Sequence, residues 1–230
     1  ATLHNDVKRF IFVSTANCQT NGTLANPGDE SGGFMPWLKG SGYAYSKFLA
    51  QQLVLDAVKE KDLPGLIVQP TFLVGPYDAR PSSGALLLHG LNKRIVFHPH
   101  GGKNFIDVTS AACAIVNALT KGEIGETYLL AGENLTYANF YKKVHVANHQ
   151  NSLLVPIPSV LLSLAGFFLS NLSKVFHFKT ALTPTNARLL TLGNYFTGKK
   201  AESHLGMPST DVDHAIQKAL EWFEEQDYIA

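Results

Sequence analysis

The chain has 230 residues and is 45% hydrophobic, enough to bury a full core as one larger domain or as one domain with a small companion. Its 19 basic and 18 acidic residues leave a net charge of +1 and no run of like charge, which excludes an electrostatic nucleic-acid binder with a basic stripe. Cys18 and Cys113 stand at no spacing that suggests a metal site or a disulfide framework, and both fall in apolar stretches. They are expected to be small core residues in a reducing compartment, the cytoplasm.

Thr2-Leu3-His4-Asn5-Asp6-Val7 reads as the tail of a helix, so the chain is expected to open inside a fold. No signal peptide heads it, and the sequons at Asn21, Asn134 and Asn171 are accordingly expected to be accidental. Arg9-Phe10-Ile11-Phe12-Val13 is a short continuous apolar run, the pattern of a strand buried on both faces of a parallel sheet. It ends in Ser14-Thr15-Ala16-Asn17, small polar residues at the carboxyl edge where open α/β sheets place ligands. Residues 18–41 are rich in Gly, Asn, Pro and Asp and predict a long surface loop, of a length that is often functional.

Gly42-Tyr43-Ala44-Tyr45-Ser46-Lys47 opens a predicted helix to about Ala57, with Phe48, Leu49, Leu53 and Val54 as its apolar stripe. Tyr43 and Lys47 are four apart and share a helix face, whereas Tyr45 points elsewhere. A phenol beside an ammonium is an acid/base unit, because the positive charge favours phenolate and draws the tyrosine down from about 10. Spacing alone also fits a surface helix pair, so the neighbouring residues decide.

Asp62-Leu63-Pro64-Gly65 turns the chain into a second buried strand, Leu66-Ile67-Val68-Gln69, which ends in Pro70-Thr71-Phe72-Leu73-Val74-Gly75-Pro76. Strand, helix and strand at this length make a βαβ unit with a right-handed crossover. A helix is predicted from Pro81-Ser82-Ser83-Gly84 to Leu91 and a short strand at Ile95-Val96-Phe97. His98-Pro99-His100-Gly101-Gly102 reads as a turn; its histidines lack a carboxylate or cysteine at ligand spacing and are expected to be exposed loop residues, with no metal. Asn104-Phe105-Ile106-Asp107-Val108 leads into an Ala-rich helix over 109–120, followed by a strand at 127–132 and a helix starting at 136–140.

Residues 153–178 are the most apolar part of the chain. The run from Val160 is about ten residues long before Ser170 and Asn171, short of the ~20 a spanning helix needs. Two readings stand: a buried or substrate-covering helix, and an interfacial helix that touches a membrane and feeds a lipophilic substrate. Asp213 to Gln226 predicts an amphipathic helix with Trp222 and Phe223 on its apolar side.

Five segments in order carry a resemblance: Phe12-Val13-Ser14-Thr15-Ala16; Tyr43-x-x-x-Lys47; Gln69 to Pro76; Gly101-Gly102-Lys103-Asn104-Phe105-Ile106-Asp107-Val108; and Tyr128-Leu129-Leu130-Ala131-Gly132-Glu133-Asn134. Together the set resembles the extended short-chain dehydrogenase/reductase superfamily, the NAD-dependent epimerase/dehydratase family, most nearly its dihydroflavonol reductase and hydroxysteroid dehydrogenase-like members. The resemblance implies an α/β fold: the C-terminal part of a Rossmann-like doubly wound parallel sheet plus a smaller, mostly helical substrate-binding domain. It divides the chain into residues 1–76, holding the catalytic helix, and 77–230, mainly substrate-binding with Rossmann elements returning at about 104–132.

It also implies roles. Thr15, with adjacent Ser14 as the alternative, would hydrogen-bond the substrate oxygen; Tyr43 would exchange a proton with it; and Lys47 would hold the nicotinamide ribose. Pro70, Thr71, Phe72 and Leu73 would border the nicotinamide of NAD or NADP. Two departures stand against the family pattern. No Gly-x-x-Gly-x-x-Gly occurs, so roughly a hundred residues of cofactor-binding half, at ~30 per βαβ unit, are expected to be absent. Thr109-Ser110 replaces a usual charged pair.

The expected function is an NAD(P)-dependent oxidoreductase acting on a carbonyl or CH–OH group of a bulky, lipophilic or aromatic small molecule. A sugar-nucleotide epimerase or dehydratase is the alternative, disfavoured because only Lys174, Lys179 and Arg188 lie around 153–190 to hold a diphosphate. A non-catalytic scaffold of the same fold is the third reading. By family analogy a homodimer would form through the tyrosine-bearing helix. Peripheral membrane contact would fall to 153–178.

Overall fold

The computed structural model describes residues 2–176, 180 and 182–229. In chain order the elements are β1 (Phe10–Val13), α1 (Gly42–Lys61), β2 (Gly65–Pro70), β3 (Phe72–Val74), α2 (Gly84–His89), β4 (Ile95–Pro99), β5 (Gly102–Asp107) and α3 (Val108–Lys121). Then come β6 (Thr127–Leu130), β7 (Glu133–Thr136), α4 (Tyr137–Ala147), β8 (Leu153–Ile157), α5 (Ser159–Phe176), α6 (Pro184–Thr191), β9 (Gly193–Asn194), α7 (Lys199–Leu205) and α8 (Val212–Glu225). The predicted opening helix tail is a single 3-10 turn, Thr2–His4.

Three strands form a parallel sheet in the order β1-β2-β6, with Phe12 opposite Ile67 and Val68 opposite Tyr128. Every residue of β2 is buried, as its continuous apolar run requires. Leu66 and Val68 face the Ala-rich side of α3 and α7, where Ala111, Ala114, Ala118, Ala201 and Leu205 close the packing. Gln69 points the other way and bonds to Gln51 of α1. Helices therefore cover both faces, the arrangement of a doubly wound α/β sheet.

The sheet does not continue through β5. A second sheet is built on β5, which pairs in parallel with β3 and β9 and antiparallel with β7. Of the returning elements at 104–132, β6 thus rejoins β2 while β5 belongs to the second sheet. A third, two-stranded parallel sheet joins β4 to β8. The largest core lies around Phe105, which stacks on Phe140 at 4.2 Å and meets Phe72 edge-on at 5.3 Å, with α4 and α8 closing over it. Gly75 makes the turn after β3 at φ +152°, and a Cβ there would lie 2.3 Å from Val108.

Polar side chains end the helices where the backbone needs partners. Ser41 Oγ accepts from Ala44 N–H at the start of α1, and Asp107 Oδ1 accepts from Thr109 N–H at the start of α3, so the unusual Thr109-Ser110 pair is served by an ordinary carboxylate cap. Asp62 ends α1 in the left-handed conformation at φ 51°, just before Pro64.

Several expectations are corrected. Cys18 is buried, but Cys113 is exposed, since an apolar stretch on a helix still has an outward face. His98 is not an exposed loop residue: it lies in β4 and is buried, with Nδ1 2.8 Å from the Pro99 carbonyl oxygen, whereas His100 is exposed. Among the described residues no cluster of metal-ligating side chains exists. Leu49 and Leu53 of the supposed apolar stripe face outward.

The apolar 153–178 segment divides at Pro158. Its first part is strand β8, and its second is α5, whose 18 residues run straight through Ser170 and Asn171. Ser and Asn tolerate a helix interior when their side chains bond back, and Asn171 Nδ2 donates to the Phe167 carbonyl. Nor is α5 buried: Val160, Leu161, Leu164, Phe167, Phe168, Leu172, Val175 and Phe176 are all exposed, while Leu162 is covered. Among the described residues no helix is long and apolar enough to cross a membrane. Phe178, Lys179 and the Lys174 side chain lie outside the described residues. At the end of the chain α8 follows its predicted pattern, with Phe223 fully buried and Trp222 packed partly against it.

Candidate active site

The carboxyl ends of β1 and β2 open onto a narrow cleft of about 70 Å³. Thr15, Ala16 and Asn17 line it from the first strand end, Pro70, Thr71 and Phe72 from the second, and Lys103, Asn104, Asn194 and Phe196 complete it. This is the sheet edge at which such folds bind their ligands.

The two candidate hydroxyls separate here. Ser14 Oγ donates to Gln51 Oε1 at 2.9 Å and lies 3.5 Å from the Cys18 sulfur, behind the cleft wall. Burial pushes the Cys18 thiol up, which keeps it a neutral neighbour. Thr15 lines the cleft, and its Oγ1 accepts only a long 3.4 Å bond from Asn17 N–H. Consecutive residues at a strand end face opposite ways, so only one of the two can reach a ligand in the cleft.

Helix α1 brings Lys47 to the end of β1, but neither Lys47 nor Tyr43 is among the residues that line the cleft. Lys47 Nζ donates to the Val13 carbonyl at 3.0 Å and sits 5.4 Å from the centre of the Phe12 ring. Tyr43, in the first turn, is 58% exposed, and its phenol has no hydrogen bond among the described residues. Tyr45 is turned away onto Phe34, which stacks on Phe48 at 4.3 Å. The long 18–41 segment is held in place by this contact, by the fully buried Leu38, and by Glu30, whose carboxylate accepts from Leu129 N–H at 2.7 Å on the outer strand β6. Pro70, Thr71 and Phe72 border the cleft, while Leu73 looks into a separate depression with Gly75 to Asp78.

Two supporting groups carry no sequence signal of their own. Gln51 accepts from Ser14 and from Gln69 Nε2 (2.8 Å), and Gln69 in turn accepts from Gln19 Nε2 at 3.1 Å. This buried chain ties α1 to both strand ends, one helical turn beyond Lys47. Gln51→Leu should lower unfolding free energy by about 1–3 kcal/mol, because it leaves the Ser14 hydroxyl and the Gln69 amide without their shared acceptor. Urea unfolding measures this, and an unchanged midpoint would show that the chain of amides holds nothing.

Asn104 is the second. Its Oδ1 accepts from Thr71 Oγ1 and from Gly132 N–H, both at 2.7 Å, while its Nδ2 bonds the Gly132 carbonyl and Asn134 Oδ1. Asn134 also exchanges bonds with the Phe196 backbone in both directions. The Asn134 side chain is thus committed inside the fold, as an accidental sequon would be.

Behind Phe72 the cleft shares a wall with a second cavity of about 440 Å³. Leu86, Phe97, Tyr141, Ile157, Leu162 and Leu190 make it mainly apolar. Lys103 lines both spaces and is half-buried there, its Nζ 5.3 Å from the Phe72 ring centre. Desolvation lowers its ammonium from the ordinary lysine range to about 8. A lysine in a loop-like Gly-Gly-Lys run offers no hint of burial; only β5 carries it between the two cavities.

Comparison with known proteins decides the family. The model of the NAD dependent epimerase/dehydratase family matches residues 1–131. The chain belongs to this family. A putative dihydroflavonol 4-reductase from Synechocystis sp. is 23% identical over 197 residues, covering 81% of the chain and 56% of that protein. Sterol demethylase protein B from Methylococcus capsulatus is 26% identical over 200 residues, covering 84% of the chain and 60% of that protein. Among solved structures, gox2253 superimposes with a TM-score of 0.83 at 26% identity, over 99% of the chain and 69% of that chain. The chain spans between 56% and 60% of the length of these two curated relatives. The α/β family fold read from the five motifs is the observed one.

Proposed function

We propose that this chain is the catalytic and substrate-binding part of an NAD(P)-dependent oxidoreductase acting on a carbonyl or CH–OH group of a bulky, lipophilic or aromatic molecule. The observation that carries the reading is the junction of the two cavities. The cleft between Thr15 and Thr71 has room for a reacting group only, and the apolar 440 Å³ space behind Phe72 has room for the body of such a molecule. Among the relatives named above are a putative dihydroflavonol 4-reductase and a sterol demethylase protein, which supports a bulky substrate.

The residues present fit one end of the cofactor. Lys47 has a half-buried ammonium at the end of β1, suited to ribose hydroxyls, and the backbone at Pro70–Phe72 borders the cleft. No Gly-rich turn is present in the sequence for the pyrophosphate. The nicotinamide, when bound, supplies or receives the hydride. Thr15 Oγ1, weakly engaged in the fold, donates a hydrogen bond to the substrate oxygen and fixes its position. Tyr43 gives that oxygen a proton in reduction and takes one in oxidation, its exposed phenol being free to meet a substrate. Ser14 holds α1 through Gln51 and takes no proton.

A sugar-diphosphate substrate fits less well. Lys103 is the single ammonium or guanidinium lining either cavity among the described residues, and Arg188 is engaged over Trp37 at 4.5 Å. The same reading gives peripheral membrane contact to the outward apolar face of α5, and a homodimer contact to exposed Leu49 and Leu53 of α1.

Titration calorimetry of the 230-residue chain with NADH and with NADPH tests the cofactor assignment. Affinity weaker than about 1 mM is expected, since the sequence has no Gly-rich turn leading into a helix N-terminus to seat the pyrophosphate. Micromolar binding to the chain alone would mean that a pyrophosphate site exists elsewhere in it.

A further inference from the structure

Resting on the reading of the apolar cavity as the substrate site, we propose that the substrate carries a single carboxylate, received by Lys103 at the junction of cavity and cleft and by the Tyr137 hydroxyl on the cavity wall.

A half-buried ammonium with no acid beside it loses hydration without gaining a counter-charge, and an anionic ligand would supply one. Among the described residues Lys103 forms no ion pair, its contact being the Phe72 ring face. Among them, too, no aspartate or glutamate lines either space to compete for it. The second group is independent. Tyr137 lines the same cavity, is fully buried, and its hydroxyl has no hydrogen-bond partner among the described residues. Burial, reinforced by Tyr141 and Tyr195, raises that phenol well above its usual range, so it remains a hydroxyl donor.

Lys103 and Tyr137 thus bring an ammonium and a hydroxyl to a mainly apolar surround, whose wall also holds the Tyr141 and Ser82 hydroxyls. Their complement is an acceptor of one negative charge attached to an apolar body. A diphosphate would bring more charge than one lysine neutralises, and an uncharged alkyl body would leave both donors empty. His89 also lines the cavity, but its Nε2 lies 3.1 Å from the Phe97 carbonyl and is occupied. The carboxylate therefore sits at the cleft end of the cavity and the apolar body extends past Leu86, Ile157 and Leu162 toward α5.

Calorimetric titration of the 230-residue chain with 2-naphthoate, methyl 2-naphthoate and 2-naphthyl phosphate tests this. The acid should bind about tenfold or more tightly than the ester, the worth of a charge-assisted bond in a dry site, and at least as tightly as the phosphate. Lys103→Met should remove the preference for acid over ester, and Lys103→Arg should keep it. If the methionine variant does not fold, Lys103→Gln carries the same expectation. Equal affinity for acid and ester, a preference that survives Lys103→Met, absence of binding by the acid, or a phosphate bound tenfold more tightly would each overturn the proposal. Tyr43 and the cofactor take no part in these titrations, so this result and the hydride-transfer assignment stand or fall separately.

Discussion

Replacing Tyr43 with phenylalanine should cut turnover by about 10²–10⁴-fold, the usual worth of a positioned general acid, with little change in substrate affinity. The assay is nicotinamide oxidation by the chain fused behind a Gly-rich cofactor-binding half of its family. Tyr43 is a favourable position for a clean result. Its ring is 58% exposed, and its one local bond, from Ser46 Oγ, goes to its main-chain carbonyl. Removing the hydroxyl therefore breaks no contact within the fold, and surface changes of this kind usually alter stability by about 0.5 kcal/mol or less. A loss of activity with an unchanged unfolding curve would assign the proton to Tyr43. Unchanged turnover would eliminate it and return the question to the groups lining the cleft.

The second large effect belongs to the fold. Phe105→Ala should destabilise the chain by about 3–5 kcal/mol, a large share of the roughly 5–15 kcal/mol that holds a domain together. Phe105 is fully buried on β5 between the Phe140 ring, nearly parallel to it, and the edge of Phe72. Those two rings come from α4 and β3, so the void would open where the second sheet meets its helices. Phe105→Leu, which keeps most of the volume, should cost clearly less. Denaturant unfolding of both variants gives the comparison, and a loss under about 1 kcal/mol for the alanine would mean that the site collapses around the gap.

The strand that carries Phe105 also links the cleft to the larger cavity. The neighbouring Asn104 ties Thr71 at the cleft to Gly132 and Asn134, and Lys103, two residues before Phe105 in the strand, lines both cleft and cavity together with Phe72. One strand thus supplies a core ring, a structural amide and a lone ammonium at successive depths.

Much of this was legible beforehand, and for physical reasons. A run such as Leu66-Ile67-Val68-Gln69 can satisfy its apolar side chains only between two covered faces, so β2 and its burial follow from local pattern. Ser41, Asp107 and Asp211 cap their helices through bonds within three residues of sequence, as local as any signal can be. The four-residue spacing of Tyr43 and Lys47 and the order of the five motifs required no tertiary information either.

What spacing could not decide was direction and company. Ser14 and Thr15 are chemically alike and adjacent; a strand end turns one outward to the cleft and the other inward to Gln51, and which is which depends on where α1 packs. The Gln19–Gln69–Gln51–Ser14 chain joins residues far apart in sequence, each an ordinary polar residue by itself. His98 is buried because β8 pairs beside β4, and α5 is exposed because only Leu162 of its apolar residues finds a covered place. The sequence alone therefore determined the family, the parallel α/β frame and the shared helix face of Tyr43 and Lys47, because these depend on short-range periodicity and spacing. Only the tertiary structure decided which hydroxyl lines the cleft, where the larger apolar cavity lies, and that Lys103 borders both with no ion pair among the described residues, because burial and charge compensation are properties of chain segments brought together.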